Sequence, residues 1–370
     1  MKDHATSRRA RLLGLTLLMT AAASVPAYAA TPTTIAQLHH IATVSSTVPT
    51  NGDVNPYGVA QVPVTRGRLV AGQFLISNFN DASNAQGTGT TIVQIAPDGA
   101  FSQFAEINPA KVSCPGGIGL TTALVALRSG YVIVGSLPTV GGASSTAEAG
   151  CLIVLDSWGN VVETFTGHGI NGPWDMTALD LDSFAVLFVT NVLDGTVAAN
   201  GDVVHRGTVL RLLLDFPDGH APRLLDNAVI AFGFPQRTDP NALVIGATGV
   251  AFDPASGVLY VADTLNNRIA AIGDALFRFL PAGIGTTVSK GGSLKGPLGL
   301  TLTPDDRLIA ANGDDGNLVE IDPAAGRQIG TNLVDSSGTP PGSGALFGLL
   351  AVQGGVYFVD DATNTFNLLQ

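Results

Sequence analysis

Gly249-Val250-Ala251-Phe252-Asp253-Pro254-Ala255-Ser256-Gly257-Val258-Leu259-Tyr260-Val261-Ala262-Asp263, followed by Asn266-Asn267-Arg268-Ile269, decides the fold. A short apolar strand meets a Gly turn. A second apolar strand ends on an acidic residue, and an Asn-Asn turn leads into a third. The same order recurs along the chain. Pro56-Tyr57-Gly58-Val59 leads to a strand ending at Asn78, and Gly117-Ile118-Gly119-Leu120 to one ending at Ser136. Pro173-Trp174-Asp175-Met176 leads to Asn191, Pro297-Leu298-Gly299-Leu300 to Asn312, and Leu346-Phe347-Gly348-Leu349 to Asp360. The openings fall at 58, 119, 175, 249, 299 and 348. Repeats of roughly 50 residues with three or four strands each are the pattern of propeller blades. One blade cannot bury both of its faces, but a ring of blades can.

The sixth copy has strands near 349–352, 356–360 and 364–369, and then the chain ends one strand short. Residues 38–45, Leu38-His39-His40-Ile41-Ala42-Thr43-Val44-Ser45, precede the first copy and lack a partner there. They are expected to supply the missing outer strand and close the ring. The expected fold is all-β: a single six-bladed propeller over 30–370.

Composition agrees. Charged residues are 13%, hydrophobic residues 45%, and glycines 45 of 370. The chain can bury a large core and is rich in turn formers. A formal charge of −11 argues against nucleic-acid partners, since phosphate binding needs Lys and Arg. Lys2, Arg8, Arg9 and Arg11 precede the apolar stretch Leu12–Val25, which is too short for a membrane span. Ala27-Tyr28-Ala29 fits a signal peptidase, so 1–29 reads as a secretory signal cleaved after Ala29. Export to the periplasm or medium follows, with no membrane span in the mature chain. In an oxidising compartment Cys114 and Cys151 would pair; two free buried thiols are the alternative.

Gly249–Ile269 resembles the NHL repeat, with its Gly-Val-Ala strand, Ala-Asp strand end and Asn-Asn-Arg-Ile hairpin. The other copies match more loosely, mainly at the Gly start and the Asn or Asp end. The resemblance implies a six-bladed propeller whose first strands line a central channel, with the loops after strands two and four on one face. On that face the stretches 79–90, 137–149, 192–206 and 216–246 are long, and 264–267 and 313–316 are tight. Long loops on a rigid ring shape sites.

Five copies start with Gly near the axis, and the third carries Asp175. A carboxylate there could hold a cation, act as a base, or cap a turn. Tyr57, Trp174 and Phe347 sit beside it in the repeat and are candidate ligand contacts. With Asp175, the strand-two ends Asn191, Asp263, Asn312 and Asp360 form a candidate oxygen cage for Ca²⁺ or another divalent cation; equally, Asx residues satisfy turn N–H groups. Gluconolactonase-type propellers, which the chain also resembles, hold a divalent cation in the channel with Glu, Asn and Asp. Their Glu has no counterpart here, where Tyr57 and Gly58 stand. His168 and His205 flank the third copy and are candidate catalytic partners of Asp175.

Two functions stay open. One is a non-catalytic binding propeller presenting its loop-rich face to a protein or small ligand. The other is a divalent-metal-dependent lactonase, hydrolase or lyase with its site at the channel mouth.

Overall fold

The computed structural model describes residues 34–370. The expected signal at 1–29 and its cleavage after Ala29 lie outside the described residues. Strand β1 (Ile41–Ser46) comes first. Blade 1 then holds β2 (Val54–Gln61), β3 (Phe74–Asn80), β4 (Thr91–Ile95) and β5 (Phe101–Glu106). Blade 2 holds β6 (Leu120–Ala126), β7 (Val132–Ser136), β8 (Cys151–Leu155) and β9 (Val161–Phe165). Blade 3 has five strands: β10 (Pro173–Asp180), β11 (Phe184–Asn191), β12 (Val204–Asp215), β13 (Arg223–Asp239) and β14 (Leu243–Ile245). Blade 4 holds β15 (Ala247–Asp253), β16 (Val258–Asp263), β17 (Arg268–Ile272) and β18 (Thr286–Lys290). Blade 5 holds β19 (Pro297–Leu302), β20 (Leu308–Asn312), β21 (Asn317–Asp322) and β22 (Arg327–Leu333). Blade 6 consists of β23 (Leu346–Val352), β24 (Gly355–Asp360) and β25 (Thr365–Leu369), completed by β1.

The ring closes as the strand count requires. β1 lies antiparallel on β25, from Ile41 opposite Leu369 to Ser46 opposite Thr365. The inner strands β2, β6, β10, β15, β19 and β23 each touch the next, and β23 returns to β2. Apolar clusters fill the gaps between blades. Leu75, Ile92, Leu124 and Ile153 join blades 1 and 2, for example, and Phe188, Ile230, Val250 and Leu259 join blades 3 and 4. Each such side chain stabilises the ring by about 1.5–3 kcal/mol on burial. Cys114, in the connection before β6, is disulfide-bonded to Cys151 at the start of β8, with Cα atoms 5.3 Å apart.

Two expectations change. The stretch 216–246 is not a loop: β13 runs 17 residues through it and turns into β14. Gly119 is not the axial glycine of blade 2, because it precedes β6. In blades 1, 3, 4 and 6 the inner strand carries a two-residue bulge: Tyr57-Gly58, Trp174-Asp175, Thr248-Gly249 and Phe347-Gly348. In blade 2 the bulge has three residues, Thr121-Thr122-Ala123, between the pairs Leu120–Ser136 and Leu124–Val134. The extra residue shifts the repeat, so the Gly that aligns in sequence is not the one that aligns in space.

Candidate functional site

The bulges determine what reaches the axis, since a bulge re-aims the side chains it carries. Their first residues turn toward the loop-rich face. Tyr57 stacks on Phe347 with ring centroids 3.9 Å apart and on Phe79 at 4.4 Å. Trp174 stands 6.5 Å from Tyr57 and 6.4 Å from Phe347, and its Nε1 donates to the Val244 carbonyl at 3.0 Å. β14 thus braces the aromatic cluster. Tyr57, Trp174 and Phe347 do come together, but each is at most 2% exposed. Their faces are spent on one another, so they close this end of the axis rather than present a ligand platform on it.

The second residues of the bulges set the spacing between blades. At Gly249 and Gly348, and at Gly299, which in blade 5 is paired with Ala311, a Cβ would fall on a backbone atom of the next inner strand, such as the Tyr57 carbonyl oxygen beside Gly348. Only a hydrogen fits there. Asp175 takes this position in blade 3. Its Oδ2 accepts from Val250 N–H at 2.9 Å, across the gap to blade 4, and its Oδ1 from Met176 N–H at 2.8 Å. Its own N–H donates to Thr190 Oγ1 at 3.1 Å, and Thr190 donates on to the Thr248 carbonyl at 2.7 Å. Blade 1 repeats this last relay: Gly58 N–H to Ser77 Oγ at 3.0 Å, then to the Thr121 carbonyl at 2.8 Å. Burial drives the Asp175 carboxyl up to about 7, against the two N–H bonds that favour its ionised form.

Asp175 stands at the inner end of an axial cavity of about 320 Å³ that opens on the face opposite the long loops. Val59, Leu124, Met176, Val250, Leu300 and Leu349 are among its walls, and Gln61, Leu127 and Asp180 border its far end. Thr122 shares the inner end. Its Oγ1 is buried and has no hydrogen-bond partner. Sequence reasoning missed Thr122, because the residue that displaced Gly119 from the axis is the one that put a hydroxyl there.

The proposed oxygen cage is not assembled. Each strand-two end lies opposite the first paired residue of its inner strand and is engaged in its own blade. Asn191 Oδ1 accepts from Asn171 N–H at 3.0 Å and Gly172 N–H at 3.2 Å. Asp263 is ion-paired with Arg268 at 2.7 Å. Asn312 binds Lys295 N–H, the Ser293 carbonyl and Asp315. Asp360 Oδ1 accepts from Thr363 N–H at 3.2 Å. Asp175 is occupied by backbone N–H groups. The ring residues therefore do not fit a shared divalent cation; Asp263, Asn312 and Asp360 tie off the connection after strand two, and Asn191 and Asn312 the one that leads into strand one. No group of three or more His, Cys, Asp or Glu is placed to hold a metal among the described residues. His168 and His205 are exposed, and neither lines the cavity with Asp175. His168 has a left-handed backbone, and its carbonyl accepts from Asn227 Nδ2 at 3.2 Å.

No family model matches the chain, and no curated protein is significantly similar to it in sequence. Solved structures share its architecture. A gluconolactonase from Xanthomonas campestris is 13% identical, with 89% of this chain and 88% of that one covered and a TM-score of 0.51. A catalytically inactive virginiamycin B lyase from Staphylococcus aureus, solved with quinupristin, is 14% identical over 90% and 85%, with a TM-score of 0.48. A protein of a nidogen/laminin complex is 12% identical over 80% and 85%, also at 0.48. At 13% identity the likeness to the gluconolactonase shows the fold alone, and the other two carry no argument. Among the described residues, no helix is long and apolar enough to cross a membrane.

Proposed function

We propose that this chain is an exported, NHL-like binding propeller that takes a small ligand into the axial cavity rather than onto the loop-rich face. One observation carries the reading: an axial cavity of about 320 Å³ with aliphatic walls from Val59, Leu124, Val250, Leu300 and Leu349, polar side chains between them, and Asp175 and Thr122 at its inner end. Binding sites for small molecules are typically concave, mostly apolar and fixed by a few placed polar groups. The ligand is compact, with an apolar body against Leu300 and Leu349 and one polar group directed at Thr122 Oγ1. Export rests on residues 1–29 alone.

A second reading is catalysis in the same cavity. It is favoured by one observation, a buried carboxyl whose pKa of about 7 suits proton transfer near neutrality. Asp175 would then act as the base of a lactonase, hydrolase or lyase. Binding is preferred because both carboxyl oxygens already accept backbone N–H bonds.

Thr122→Val tests the proposal. The Thr122 hydroxyl is buried without a partner, so its removal should leave stability unchanged or raise it. Neutral probes of graded size, from δ-valerolactone to 1-naphthol, are titrated calorimetrically. At least one should bind wild type, and about tenfold more weakly to Thr122→Val, the equivalent of about 1.4 kcal/mol. No probe binding, or binding indifferent to Thr122→Val and to Leu300→Phe, would remove the cavity from the function.

A further inference from the structure

A second cavity, of about 200 Å³, lies on the loop-rich face. It is bounded by the first blade, the β13–β14 turn and the connections on either side of β23 and β24. Asn55, Asn80, Asn84, Gln86, Asn241 and Asp361 line it together with the hydroxyl residue Ser343, so its polar side chains are mostly amides. Gln86 Nε2 donates to the Pro240 carbonyl at 2.8 Å, which holds the two sides together.

Its oxygens are in surplus. Asn80 is 2% exposed and Asn55 3%, and the Oδ1 of each is buried without a hydrogen-bond partner. The Asn80 amide cannot simply be turned over, because its Nδ2 donates to Asn84 Oδ1 at 2.6 Å. Asn55 is held with φ 60°, in the left-handed region, and its N–H donates to Asn364 Oδ1 at 2.7 Å. Asp361 adds a carboxyl that lines the same cavity and accepts no hydrogen bond among the described residues. A buried acceptor left unmatched costs about 1–3 kcal/mol, so two amide oxygens and a carboxylate call for a shared partner. Hard cations prefer such a set of carboxylate and amide oxygens.

We propose that Asn55, Asn80 and Asp361 form a binding site for a hard, oxygen-seeking cation of the Ca²⁺ kind. Asn191, Asp263, Asn312 and Asp360, the expected cage, contribute nothing to it. The site is independent of the axial cavity: it lies on the other face, beyond the aromatic cluster. A bound ion would fasten the closing blade to blade 1.

The test uses the chelator-treated full chain and CaCl₂. Calorimetry should show one ion per chain. Ca²⁺ should raise the melting temperature, and Tb³⁺ should show luminescence on tyrosine and tryptophan excitation. Asn80→Ala and Asp361→Asn should each weaken Ca²⁺ binding at least tenfold. Asn55→Gly should do the same while keeping the left-handed backbone, and so guards against loss through misfolding. No heat, luminescence or melting shift up to about 10 mM, beyond the weakest ordinary Ca²⁺ sites, would overturn the proposal. So would binding unchanged in all three variants, or a response to ethylammonium chloride with none to Ca²⁺.

Discussion

Blades 3 and 4 are neighbours built on one register, and they have diverged at the same two positions. In blade 4 the inner bulge ends in Gly249 and the second strand ends in Asp263, closed by Arg268. In blade 3 the bulge ends in Asp175, and the second strand ends in Asn191, which serves only backbone N–H groups. Blade 4 spends its polar residues on holding itself together. Blade 3 puts a carboxyl at the axis, lengthens its outer strands to 12 and 17 residues and adds a fifth. A position that repeats answers to the geometry of the ring. A position that departs from the repeat is where the ring can afford chemistry.

The strand-two ends test this most severely. Arg268 donates to Asp263 from Nε at 2.9 Å, its Nη2 lies 2.7 Å from the same carboxylate as an ion pair, and Nη2 donates to the Ile284 carbonyl. Asp263 is wholly buried. Arg268→Ala leaves that carboxylate with Asn266 alone and should cost about 3–5 kcal/mol in urea unfolding. Asn191→Ala removes two neutral hydrogen bonds and should cost about 1–2 kcal/mol. Equal losses would break the comparison. The axial position comes next. Gly249→Ala would drive a Cβ into the backbone of β19 near Leu298, and overpacking of this kind costs about 1–3 kcal/mol. A neutral Gly249→Ala would mean that the blades have slack and that Asp175 needs no special room.

Blade 4 was legible because everything it needs is local: two apolar strands, a Gly turn at 257 and a left-handed Asn267. Ring closure was legible too, as a missing strand in the sixth copy and a spare one at 38–45. Blade 3 was read less well. β13 contains Gly233 and Pro235, which mimic a loop, yet the strand absorbs them through register shifts against β12. The candidate site was half visible. Asp175 stood out as a break in the repeat. Its desolvation did not, because that depends on one or two side chains from each of six blades meeting at the axis. Tyr57, Trp174 and Phe347 were placed together correctly, but the repeat does not reveal which way a bulge turns its residues. Asn55, Asn80 and Asp361 carry no motif and meet only because the two ends of the chain are joined.

The finest discrimination between the two blades is electrostatic. Asp175 has an ordinary carboxylate pKa near 4 when unfolded, and burial raises it to about 7 in the ring. Between those values the folded protein binds a proton that the unfolded chain has released. Stability conferred by that proton is present below pH 4 and is lost as pH rises toward 7. Over this window Asp175 should lower stability by at most about 1.4 kcal/mol per pH unit. Asp175→Asn removes the titration while keeping a side chain of similar size in the gap to Val250. Urea unfolding at successive pH values should therefore show wild type falling relative to Asp175→Asn between pH 5 and 7, then running parallel to it above. Parallel curves throughout would mean that the carboxyl is ionised from the start. Its two N–H bonds would then outweigh its burial, and blade 3 would be holding itself together as blade 4 does.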